Sequence, residues 1–157
     1  MVSVKGSGKR KRAMVNSIVE YCIGKIMPRL EGKLNIDIAL IPRLIENEQL
    51  AGDCIWEDQS RDRPRNFTIR ADSTQSLQSM LETIAHEMVH VKQYARGELK
   101  DLARSPYLCK WKGKKFNFNS THYYDQPWEI EAHGMERGLF IRWFVESDWK
   151  NCHWAEY

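Results

Sequence analysis

Cysteine, proline and long apolar runs are all scarce in this chain of 157 residues. The four cysteines, Cys22, Cys54, Cys109 and Cys152, lie far apart and include no C-x-x-C pair. That argues against a cysteine-rich structural zinc site and leaves free thiols in a reducing compartment as the expectation. No run of 18 or more apolar residues occurs, so no transmembrane helix is expected. The first 25 residues also show no apolar core of a secretory signal, and a cytoplasmic location is expected. What is present is globular in character: 42% hydrophobic residues, with six Trp, six Tyr and five Phe, too many for a disordered chain. The length suits one domain with a real core.

Charge is unevenly placed. Residues 1–12 carry Lys5, Lys9, Arg10, Lys11 and Arg12 with no acid, leaving 19 basic against 21 acidic residues in the remainder. The expectation is a flexible basic tail over residues 1–12 and a single domain over 13–157. Such a tail invites weak contact with nucleic acid.

Periodicity gives a coarse element order. Met14, Ile18, Tyr21, Cys22 and Ile26 fall at helical spacing, and Pro28 stops that helix. Leu34, Ile36, Ile38 and Leu40 alternate as in a half-buried strand, and residues 52–58 and 66–72 read as two more. A helix is expected over 74–96, capped by Ser73 or Asp72 and ended by Gly97. Residues 107–119 suggest a hairpin around Lys112 and Gly113. Pro127 suits the first turn of a last helix running to about residue 149. Helix, three strands, helix, hairpin and helix make a small α+β domain with an antiparallel or mixed sheet.

The helix over 74–96 carries "HEMVH". Two histidines four apart lie one turn apart on one side, so His86 and His90 can bind one ion. Glu87, rotated about 100° from His86, can reach a water beside that ion without ligating it. With five His and 13 Glu in the chain, such a pattern arises by chance in roughly one sequence per hundred. Leu77, Met80, Leu81, Ile84, Met88 and Val91 form the apolar stripe of the same helix, nearly opposite His86 and His90. The histidines therefore need solvent or a second packing partner.

A third ligand is expected from residues 123–140, which offer Glu129, Glu131, His133 and Glu136. Glu131 shares a side with Gly134 and Gly138, which cost roughly 1 kcal/mol each in a helix relative to Ala. Close approach of another helix along that side would explain them and would place Glu131 as the ligand. Glu129 and His133, on a more charged side, are the alternatives.

"HEMVH" on a helix, with a later helical Glu131-Ala132, resembles the gluzincin branch of the zincin metallopeptidases. "HEMVHVKQY" followed by "PWEIEAHGMERGL" more closely resembles small metallopeptidases encoded by bacteriophages, loosely related to SprT-like and ImmA/IrrE-type proteins. The resemblance spans roughly residues 50–145. Position 94 is Tyr where SprT-like proteins have a further His, and Arg96 stands where the metzincin pattern needs one. The resemblance implies a minimal zincin-like fold and a zinc-dependent peptidase acting on polypeptides in a host cytoplasm. His86, His90 and Glu131 would hold one Zn²⁺ per chain, and Glu87 would be the general base for a metal-activated water. Tyr124, Tyr123 and His122 become candidates for stabilising the transition state, and residues 66–72 for the edge strand that receives substrate.

The other features have quieter readings. Trp111, Trp128, Trp143, Trp149 and Trp154 at or near helical spacing read as core, and residues 110–115 as a solvated basic turn. Cys152 and His153 are neighbours and chelate poorly. The alternative function is nucleic-acid association through the basic tail and hairpin, with a structural or inactive zinc site.

Overall fold

The computed structural model describes residues 1–59, 62–103 and 105–151; Cys152, His153 and Trp154 lie outside them. The fold is α+β. Strands β1 (Val2–Lys5), β2 (Asn35–Ile41), β3 (Gly52–Trp56) and β4 (Asn66–Asp72) form one mixed sheet in the order β1-β2-β4-β3. β1 and β4 flank β2 in parallel, and β3 runs antiparallel to β4.

Alternation along the strands gives the sheet one apolar face. Ile36, Ile38 and Leu40 of β2 and Phe67, Ile69 and Ala71 of β4 are buried, while Asn35 and Asp37 are exposed. Helices α1 (Lys9–Ile26) and α3 (Leu77–Ala95) contribute to the same core through Met14, Ile18, Cys22, Met80, Ile84 and Met88. α3 presents its expected stripe to that core, and its opposite side meets α4 (Pro127–Glu146), whose Ala132, Phe140 and Trp143 are buried. A short helix α2 (Leu44–Glu48) links β2 to β3.

Residues 1–12 are not a flexible tail. Val2 and Val4 pair in register with Ile36 and Ile38, so the sheet has four strands and not three. Lys9 to Arg12 form the first turn of α1. Two of the tail's cations are tied down: Lys11 Nζ donates to the Ser73 carbonyl (3.2 Å) and Arg12 to the Ser7 carbonyl (2.6 Å). A four-residue strand beside a basic run is too short for its period of two to stand out.

The second sheet is an antiparallel ribbon, β5 (Leu99–Asp101), β6 (Leu108–Trp111) and β7 (Lys114–Asn117). Lys112 and Gly113, at φ 46° and 87°, make the tight turn expected of the hairpin. Leu99, Cys109, Trp111 and Trp128 form a satellite cluster with Tyr94, Phe116 and Phe118 packed on it. Trp111, Trp128 and Trp143 are buried, and Trp149 packs on the main core. Among the described residues, no helix is long and apolar enough to cross a membrane.

The α3 cap is Ser76, whose Oγ accepts from Ser79 N (3.2 Å), and not Ser73 or Asp72. Asp72 does a different job. Buried at the end of β4, it accepts from Ile45 N and Thr74 N, each at 2.7 Å, and from the Thr74 hydroxyl. Burial works to raise its pKa, but these donors outweigh burial and hold the carboxyl below the ordinary carboxylate range. Asp72→Ala orphans two backbone amides and is expected to cost about 1–3 kcal/mol, read from denaturant midpoints. Because the folded pKa is depressed, the wild-type advantage is present above the unfolded carboxylate pKa. It should shrink as pH falls through the folded one, whereas the Asp72→Asn midpoint should lack that dependence.

Candidate metal centre

α3 and α4 meet through polar side chains. His86, Glu87 and His90 on α3 and Glu129 on α4 are each less than one-tenth exposed. The two Nε2 atoms lie 3.0 Å apart. Glu129 Oε2 is 3.3 Å from Nε2 of His86, and its Oε1 is 3.4 Å from Nε2 of His90. These three side chains form a group able to hold a metal ion.

The outer nitrogens settle what the inner ones present. His86 Nδ1 lies 2.7 Å from Glu136 Oε2, and His90 Nδ1 lies 2.8 Å from Gln93 Oε1. A carboxylate and an amide oxygen only accept, so the neutral rings carry hydrogen on Nδ1 and bare lone pairs on Nε2. Two lone pairs and a carboxylate converging on one point suit a positive charge between them, either a proton on Nε2 shared with Glu129 or a metal ion. Tetrahedral zinc, with Zn–N near 2.0–2.1 Å, sets its donors about 3.3 Å apart, close to the spacings found. The donor set fits zinc, and the hydrogen-bonded outer nitrogens match the way metal-binding histidines are oriented.

Electrostatics follow the geometry. Burial works against charge on both imidazoles, but bonding to Glu129 prevails and raises their proton affinity. Glu129 is held well below the carboxylate range, burial being outweighed by His86 and His90. Burial pushes Glu87 up to about 7, against the pull of His90 and His86. A base poised near neutrality suits proton transfer. Burial also raises the Cys54 thiol beside Glu87, and Cys22 and Cys109 are raised to about 12 and about 11 for the same reason.

The helix α4 brings Glu129, and not Glu131, to the histidines. Glu131 is two residues on, about 200° around the helix, and its Oε2 accepts from Gln93 Nε2 (2.9 Å) and Lys92 Nζ (3.0 Å). Gly134 and Gly138 mark no close approach, since a Cβ at either would meet nothing within 4 Å. Ala132, fully buried, lies on the side of α4 that packs inward. His133 is not in the group with His90. Its ring sits 4.5 Å from that of His86, and with His86 and Glu136 it forms a second, more exposed group of metal-binding type.

Of the three candidate stabilisers, only Tyr123 touches the centre, its hydroxyl donating to Glu129 Oε2 at 2.6 Å. Tyr124 lines the outer cleft and is mostly exposed, and His122 accepts from the Tyr124 amide. Two hollows meet at His86 and Glu87. One, of about 260 Å³, is walled by Cys54, Tyr94, Leu99, Phe118 and Trp128. The other, of about 570 Å³, is lined by more polar residues including Gln75, Glu82 and Thr83.

The strand beside these hollows is β3. β4, the expected edge, lies between β2 and β3, and its Arg70 is paired with Asp53 and Glu48. Asp72 N donates to Ala51 O and Glu57 N to Asn66 O. In an antiparallel pair that pattern turns the N–H and C=O groups of Gly52, Cys54 and Trp56 away from β4.

Gln93 and Gly52 were missed from sequence, and Glu136, a candidate ligand there, holds His86 from behind. The signal for Gln93 was present but slight: it stands three residues after His90, on the same helix side. Gly52 has no room for a side chain. A Cβ there would lie 2.6 Å from Thr83 Cγ2, 2.8 Å from the Arg70 carbonyl and 3.4 Å from Glu87 Oε1. Gly52→Ala is therefore expected to destabilise by about 1–3 kcal/mol in chemical denaturation. Adding Thr83→Ser, which deletes the obstructing methyl, should recover part of the loss.

The chain matches no family model, and neither curated proteins nor solved structures yield a match.

Proposed function

We propose that the chain is a zinc-dependent peptidase in which His86, His90 and Glu129 hold the metal and Glu87 is the general base. The observation that carries this reading is the convergence of two Nε2 lone pairs and the Glu129 carboxylate, beside a buried Glu87, where two hollows meet. When bound, zinc supplies a Lewis acid that acidifies a water and polarises a carbonyl. Glu87 removes the proton of the attacking water and passes it to the departing amine, so peptide and water become an acid and an amine. A substrate strand finds outward-facing N–H and C=O groups on β3, an arrangement suited to strand addition. Tyr123, hydrogen-bonded to Glu129, fixes the carboxylate's orientation.

Elemental analysis of the purified protein, followed by cleavage of a peptide library, tests the reading. Wild type should carry one zinc per chain, and Glu129→Ala should lose it. Glu87→Gln should keep the zinc and cleave about 10²–10⁴-fold more slowly. No zinc in wild type after reconstitution, or cleavage undiminished in Glu87→Gln, would sink the proposal.

A further inference from the structure

We infer that Gln93 is a positioning residue for the metal centre, one that fixes the tautomer of His90, with Glu131 as its anchor; the inference rests on the zinc-site reading above. Gln93 is fully buried, one turn beyond His90. Its Nε2 donates to the Trp128 carbonyl and to Glu131 Oε2, both at 2.9 Å. Neither partner can donate in return, so the amide has one satisfactory orientation. Its Oε1 must face His90 Nδ1, which lies 2.8 Å away.

That orientation settles the chemistry of the other ring nitrogen. With an amide oxygen as its partner, Nδ1 carries the hydrogen and Nε2 keeps its lone pair toward His86 and Glu129. A flipped amide would present N–H groups to Nδ1 and move the hydrogen to Nε2, where it blocks a metal.

Glu131 guards against the flip. Its carboxylate accepts from Gln93 and is held by Lys92 Nζ at 3.0 Å, with Lys112 Nζ at 3.7 Å. Lys92, itself buried, is steadied from its other side by Glu98 at 2.8 Å. A cation-paired carboxylate stays ionised and so accepts only. Glu131 thus reaches the centre at two removes, through Gln93 and His90, without ligating.

Zinc affinity by chelator competition, and the visible spectrum of the Co²⁺-loaded protein, would decide the matter in wild type and three variants. Gln93→Met keeps the volume but removes the acceptor, and should weaken zinc about 10–100-fold and alter the cobalt bands. Gln93→Glu keeps an acceptor at His90 but sets two carboxylates against each other, and should also weaken binding. Combining Gln93→Glu with Glu131→Gln restores a donor–acceptor pair between positions 93 and 131, though not the bond to the Trp128 carbonyl, and should recover part of the affinity. Wild-type affinity and spectrum in Gln93→Met would overturn the inference, and so would a combined variant no tighter than Gln93→Glu alone. If Gln93→Met does not fold, the second comparison decides. A wild type that binds neither metal would instead overturn the zinc site itself.

Discussion

The burial of Glu129 against His86 and His90 is the contact on which the arrangement between α3 and α4 depends. A carboxylate taken out of water is costly unless it is paired and hydrogen-bonded. Here it meets two imidazole nitrogens and a tyrosine hydroxyl. The imidazoles are held from behind by Glu136 and Gln93, and Gln93 by Trp128 and Glu131. With these partners the polar side of α3 is buried from His86 to Gln93, while Gln78 and Ser79 nearer its start stay exposed. The core face of α3 sets the helix on the sheet, and the polar face sets α4 on the helix.

Desolvation acts differently on neighbours only a few ångströms apart. It raises Glu87 because the pull of His90 and His86 does not offset it, and it fails to raise Glu129 because His86, His90 and Tyr123 outweigh it. One carboxylate is thereby suited to holding a proton and the other to holding a positive charge. Pairs of titratable groups driven apart by their surroundings are how one fold separates acid–base work from charge stabilisation.

Much of this was legible in the sequence. The spacing of His86, Glu87 and His90 survives folding unchanged because a helix turns a fixed angle per residue. The apolar stripe of α3 and the turn at Lys112 and Gly113 follow from equally local rules. What was not legible needed the neighbour across the interface. α4 carries apolar residues on several sides, with Ile130, Ile141 and Val145 exposed while Leu139, Phe140 and Trp143 are buried, so its inward face could not be told from periodicity. Gly134 and Gly138 suggested a close approach, but the packed small residue is Ala132. The edge strand was misjudged for a related reason. Residues 66–72 lead directly into α3, yet the parallel pairing with β2 draws them inside the sheet and leaves the earlier β3 at its rim. Such pairing is a property of topology and leaves no mark on either strand's own alternation.

Trp128 joins the two halves of the molecule in a single residue. Its indole packs among Trp111, Phe116 and Phe118 of the small ribbon, while its carbonyl is the peg for the Gln93 amide. The two histidines and Gln93 belong to α3, whereas their carboxylate and the peg belong to α4, the peg 35 residues beyond Gln93. The motif on α3 is therefore only part of the centre: without α4 packed against it, the histidines lack their carboxylate and Gln93 lacks the peg that orients it.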